Sequence, residues 1–184
     1  MIKLNGVKKT YKSTTIRYLD RTFTQPCTLL IGQNGSGKTT LLKAIAQLID
    51  VQGTIENTLS HIFVEEQPSF PEEMMVKDYL TLIQHLAKLK TAKRYQALIE
   101  GFKLNLHLDK PFKALSKGMR QKVHLTQALM IDRDLYLLDE PTTGLDQDAI
   151  TQFIQWLKNE KAMVIIATHA QELFDTLTRE EVYL

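Results

Sequence analysis

Nine residues, Gly32 to Thr40 (GQNGSGKTT), separate a short apolar run, Cys27 to Ile31 (CTLLI), from a stretch with Leu41, Leu42, Ile45, Leu48 and Ile49 at helical spacing. An unbroken apolar run of strand length is what a strand buried on both faces requires, and the spacing after the glycines predicts a helix. The chain is thereby restricted to folds in which a buried strand feeds a glycine loop that opens onto a helix N-terminus. Each residue type in the loop has a physical purpose. Gly35 and Gly37 let backbone N–H groups curl around phosphate oxygens, with Gly32, Gln33, Asn34, Ser36 and Thr40 completing the loop. Lys38 supplies a mobile point charge and Thr39 a hydroxyl for Mg²⁺. The bound anion then lies at the positive end of a helix. This reading specifies a nucleoside triphosphate, and leaves the reaction to be decided elsewhere in the chain.

The remaining sequence narrows the class. A length of 184 residues suits one well-cored domain. Lys and Arg number 23 against 21 acids, interspersed, so no basic footprint points to nucleic acid. The single cysteine, Cys27, lies in a predicted buried strand and has no internal partner, as expected in a reducing compartment. No apolar stretch approaches the length of a membrane span, and the start, MIKLNGVKK, lacks the apolar centre of a secretory signal, so the expected location is the cytoplasm. His61, His85, His107 and His124 have no ligand spacing with one another or with Cys27, and no zinc site is expected.

Along the chain, Met1 to Val7 alternates like a strand, and polar residues then run to Ile16. Ile62 to Val64 reads as a strand that delivers Glu65, Glu66 and Gln67 to its end, before a loop framed by Pro68 and Pro71. From Asp78 the faces Tyr79, Leu80, Ile83, Leu86, Ala87 and then Tyr95, Leu98, Ile99, Phe102 predict a mostly helical insertion, about 70–118. Leu135 to Leu138 (LYLL) and Ala162 to Ala167 (AMVIIA) are again doubly buried strands, with a helix between them carrying Ile150, Phe153, Ile154 and Leu157 against the sheet. Trp156 is assigned no role. The expected fold is α/β: a mostly parallel sheet core, a small N-terminal antiparallel part and a helical subdomain, with ligand chemistry at the carboxyl ends of the strands.

Directly after LYLL stand Asp139 and Glu140, then PTTGLD to Asp146. Adjacent acids at the end of a buried strand are costly to desolvate and call for a metal or a reaction. Asp139 is placed to hold Mg²⁺ and Glu140 to orient the water that attacks a γ-phosphate.

With LLDEPTTGLD added to GQNGSGKTT, the chain resembles the ATPase subunit of ABC transporters over nearly its whole length. The resemblance implies a P-loop fold of the ABC ATPase type, ATP and Mg²⁺ as ligands, and a role for each matching residue. Tyr11 (KKTYKS) corresponds to the aromatic that stacks on adenine. Gln67 corresponds to the glutamine that touches Mg²⁺ and the attacking water. Ser116 and Gly118 in LSKGM occupy the signature that meets ATP on an opposite subunit, Asp146 ends the loop that communicates across that pair, and His169 (ATHA) is the switch histidine that contacts the γ-phosphate. The implied partners are a second ABC ATPase subunit and integral membrane permease subunits, on the inner face of the membrane. No nucleic acid is expected.

Lys117 and Met119 depart from the commonest signature, and LSKGMRQK looks like that of many bacterial export-type ATPases, which implies outward transport. Lys117 either adds charge near the γ-phosphate or is a solvated surface lysine. The Phe70, Met74 and Met75 group fits either a groove for the permease or the core of the helical part. The interval from Lys38 to Gln67 is short, which predicts a trimmed adenine-side sheet, and the chain's end soon after His169 suggests that no accessory domain follows. Two rival functions are a soluble ABC-type ATPase acting on ribosomes or DNA, and a non-hydrolysing partner in a heterodimer.

Overall fold

The computed structural model describes residues 1–12, 14–89 and 93–184. Two compact units are formed, one from Met1–Glu65, Arg133–Glu140 and Glu160–Leu184, the other from Glu66–Asp132 and Pro141–Asn159.

In chain order the strands of the first unit are β1 (Ile2–Tyr11), β2 (Thr14–Arg17), β3 (Arg21–Phe23), β4 (Cys27–Ile31), β5 (Gln52–Asn57), β6 (His61–Val64), β7 (Leu135–Asp139), β8 (Met163–Thr168) and β9 (Glu180–Tyr183), with α1 (Lys38–Ile45) after β4. Five strands make a fully parallel sheet in the order β6-β7-β8-β4-β9. The expected apolar runs form its centre: Leu29, Leu30, Leu135, Leu137, Leu138, Ile165 and Ile166 are fully buried. On one face, Leu41, Leu42 and Ile45 of α1 join Leu30, Leu135, Leu137, Ile165 and Ala167 in a single core. Burial of side chains of this size contributes about 1.5–3 kcal/mol each, which is what holds the glycine loop between two well-anchored elements.

Register fixes what meets at the sheet's carboxyl edge. Asp139 pairs with Ala167, and Ile31 with Thr168. The residues that follow β4, β7 and β8 therefore leave the sheet side by side, as in other open parallel sheets that bind ligands at this edge.

The N-terminal part is a second, antiparallel sheet in which β1 pairs with β2, β3 and β5. Here the expected end of the strand at Val7 is corrected: through the polar run β1 continues to Tyr11 and returns as β2, with Lys8 opposite Arg17 and Tyr11 opposite Thr14. Most of this hairpin is solvent-facing, so its polar residues carried no strand signature. The pairing of β1 with β5 shifts register between Asn5 and Lys8. Gly53 sits at that irregularity with φ +88°, and a Cβ there would stand 2.4 Å from the Gly6 carbonyl oxygen. A second correction concerns α1, which stops at Ile45. Gln47 adopts φ +57°, its N–H donates to Ala44 O, and Leu48 N–H donates to Lys43 O, a Schellman closure that leaves Leu48 exposed.

The second unit holds α2 (Val76–Leu86), α3 (Lys93–Gly101), α4 (Lys117–Leu129) and α5 (Gln147–Asn159). Residues 90–92 of the expected helical insertion lie outside the described residues. An aromatic cluster forms part of this unit's interior. Phe70 stacks on Phe112 at 4.4 Å, Tyr79 meets both edge-on, and the ring of His124 lies 6.0 Å from Phe70. The Tyr79 hydroxyl bonds to Gln127, whose side chain in turn bonds His124 Nδ1 at 2.8 Å. Phe70 is thus a core residue, while Met75 remains partly exposed.

Candidate functional site

The loop after β4 takes its shape from residues that tolerate unusual backbone. Gly35 and Gly37 adopt φ +83° and +103°, and Ser36 N–H closes a turn on Gln33 O at 3.1 Å. Gly37 is the N-cap of α1, whose first turn carries no acidic side chain to compete with an anion. At Gly32 a Cβ would stand 2.5 Å from Ser36 Oγ and 2.7 Å from Leu184 O, so only glycine fits. Lys38 is the loop's cation and is 7% exposed. Its ammonium folds back onto the loop, donating to Gly32 O at 2.7 Å and Gln33 O at 3.2 Å. Thr39 is exposed, and the Thr40 hydroxyl lies 3.4 Å from that of Tyr11, a residue 46% exposed. Tyr11 therefore reaches the start of α1 while remaining an exposed residue.

The acid pair lies at the end of β7, which is separated from β4 by β8 in the sheet. Asp139 closes β7 and is buried; Glu140 follows, 8% exposed, with its N–H donating to Ala167 O at 2.9 Å. Glu140 has φ +46°, a conformation a residue with a Cβ adopts only under constraint, and such strain concentrates at functional positions. His169, just beyond β8, brings Nδ1 to 2.9 Å from Glu140 Oε2. That contact has the distance of an ion pair without hydrogen-bond alignment, so buried Oε2 has no hydrogen-bond partner. Ser36 Oγ in the phosphate loop is likewise buried and unbonded. A hydroxyl in the phosphate loop and a carboxylate oxygen at the same sheet edge, both left without partners, are the mark of a site completed by a ligand. The hard oxygen donors at this edge, the Thr39 hydroxyl and the Asp139 carboxylate, are of the kind that suits Mg²⁺.

The other predicted site residues belong to the second unit. Gln67 is exposed, three residues past the end of β6. Ser116 is the N-cap of α4, its hydroxyl accepting from Met119 N–H at 3.3 Å. Asp146 caps α5 by accepting from Ala149 N–H at 2.9 Å and pairs with Lys122 of α4 at 2.6 Å, two contacts that hold its carboxyl below the usual carboxylate range. The Lys122 pairing was invisible in the sequence, where 24 residues separate the partners. Gly118 is required by close approach: a Cβ there would lie 2.4 Å from Gly144 O. Gly118→Ala is expected to separate α4 from the Gly144 loop and cost about 1–3 kcal/mol by overpacking. Urea denaturation checks this, and an unchanged midpoint would refute the fit.

A family model described as ABC transporter matches residues 22–143, more than half of the chain. The chain belongs to the ABC transporter family. Among curated relatives, the chain is 39% identical over 148 residues to the uncharacterized ABC transporter ATP-binding protein YthP of Bacillus subtilis, covering 76% of the chain and 63% of the relative. It is 33% identical over 165 residues to the ABC transporter ATP-binding protein NatA of the same organism, covering 78% and 66%. The chain thus matches somewhat under two thirds of these relatives' length. Among solved structures, an ATP-binding subunit of an ABC transporter superposes with TM-score 0.88 at 25% identity, over 100% of this chain and 85% of that one. The fold also matches an archaeal ribosome recycling factor, TM-score 0.85 at 21% identity, over 98% of this chain and 36% of that one. The expected fold class and the ATP-binding assignment accordingly stand. Among the described residues no helix is long and apolar enough to cross a membrane.

Proposed function

We propose that this ABC ATPase hydrolyses ATP with Mg²⁺ and, paired head-to-tail with a second ABC ATPase subunit, drives transport, in the outward direction, through separate membrane permease subunits. The observation that carries the reading is the buried Glu140 carboxylate, without a hydrogen-bond partner on Oε2 and 2.9 Å from His169, at the same sheet edge as the phosphate loop. In this reading Gly32 to Thr40 bind the triphosphate through their N–H groups, and Lys38 exchanges its loop carbonyls for phosphate oxygens. Thr39, Asp139 and Gln67 would hold Mg²⁺, which neutralises developing charge on the phosphates. Glu140 orients water toward the γ-phosphate, His169 steadies Glu140 and donates to the phosphate, and Tyr11 stacks on adenine. Ser116, Gly118 and Asp146 serve the nucleotide of the opposite subunit. In support, Ser116 begins α4 exposed, and Gly118 allows the Gly144 loop to lie against that helix.

Transport rests on the family and on the ATP-binding relatives, and the fold is shared with a ribosome factor. Affinity capture from gently solubilised cells separates these outcomes. Integral membrane proteins should co-purify with the tagged chain; ribosomes in their place would overturn the transport reading.

A further inference from the structure

Tyr18 lies between β2 and β3 and belongs to none of the motifs above. The residue is 7% exposed, and its hydroxyl donates to the carbonyl oxygen of Gly37 at 2.9 Å. The ring is delivered from a fixed backbone: Tyr18 N–H donates to Val7 O at 2.9 Å, and two residues on, Asp20 accepts from Gly6 N–H at 2.6 Å. Gly37 is where the phosphate loop becomes helix, at φ +103°, and the space a Cβ would take there is filled by the Tyr18 hydroxyl and Ile16 Cγ2, each 2.8 Å away. Gly37 O also accepts the first helical bond, from Leu41 N–H at 2.8 Å. The Tyr18 hydroxyl is therefore a second tie on one carbonyl, aimed at the hinge between the loop and Lys38.

We propose that Tyr18 is a positioning residue for nucleotide binding, holding the Gly37 turn in its phosphate-binding conformation before the triphosphate arrives. This rests on the nucleotide reading given above. A glycine at positive φ is the most mobile kind of link, and a loop that must be ordered by its ligand binds more weakly than one already ordered. Burial raises the phenol to about 12, so the hydroxyl remains a donor throughout the range in which the protein works. Tyr18 acts through the backbone of the phosphate loop, so its contribution must be the same for any ligand that carries the phosphates, with or without a base.

The test is titration of wild type and Tyr18→Phe with MgATP and with inorganic tripolyphosphate, alongside thermal unfolding without ligand. Phenylalanine keeps the ring and removes the hydroxyl alone; Tyr18→Met, which also lacks it, is the second variant should the first fold poorly. The expected result is a Kd weakened about three- to tenfold for both ligands, the worth of one neutral hydrogen bond. Unchanged Kd values with a lowered Tm would mean that the tyrosine only supports the core, and a loss confined to ATP would mean that it contacts the base; either overturns the proposal. Wild-type protein that binds neither ligand would instead sink the nucleotide reading itself.

Discussion

Glu140→Gln is expected to bind ATP with nearly wild-type affinity and to lose about 10²- to 10⁴-fold in turnover, the range that general-base assistance supplies. The substitution keeps the side chain's shape and its left-handed backbone while removing the charge. The buried Oε2, 2.9 Å from His169, becomes part of an amide that no longer draws a proton from water. If two subunits enclose the nucleotides, blocked hydrolysis should also leave the pair closed, so the variant should elute as an ATP-dependent dimer on size exclusion while wild type does not accumulate one. Turnover within a few-fold of wild type would remove Glu140 from the chemistry. Lost turnover without a dimer would keep Glu140 and refute the pairing.

The parts of the molecule that the sequence made legible are those whose burial is continuous. CTLLI, LYLL and AMVIIA are apolar almost throughout, Thr28 being the polar exception, because β4, β7 and β8 lie at the sheet's centre, and HIFV ran a residue further than the stretch recognised. The phosphate loop and the acid pair were legible for a different reason: their residue types are dictated by ligand chemistry at fixed spacing. Strands β2, β3, β5 and β9 escaped because each is short or solvent-facing, and QGTIEN of β5 carries a glycine demanded by the bulge opposite Gly6. Contacts over long intervals were equally silent. Tyr18 reaches Gly37 across 19 residues, Lys122 reaches Asp146 across 24, and only the folded registers bring them together. Phe70 shows the limit of local reading, since a docking groove and an aromatic core ask for the same residue types, and the stacking on Phe112 decides for the core.

Lys38→Ala should weaken ATP binding on the order of 100-fold. A charge-assisted hydrogen bond contributes about 1.5–3 kcal/mol, and the ammonium is placed to give more than one to phosphate oxygens. The cost to the unliganded fold should be far smaller. The ammonium now ties Gly32 O and Gln33 O, and a loop whose Gln33, Asn34 and Gly35 are exposed can hydrate carbonyls that lose this partner. Isothermal titration with MgATP and thermal unfolding of the free protein separate the two effects. A large Kd increase with a Tm shifted by only a few degrees is expected. Unchanged affinity would mean that Lys38 remains on its own carbonyls when nucleotide binds, and the loop's N–H groups alone would then hold the phosphates. The opposite balance, collapse of the free protein with little change in affinity of what remains, would make Lys38 a brace for the loop, the task assigned above to Tyr18.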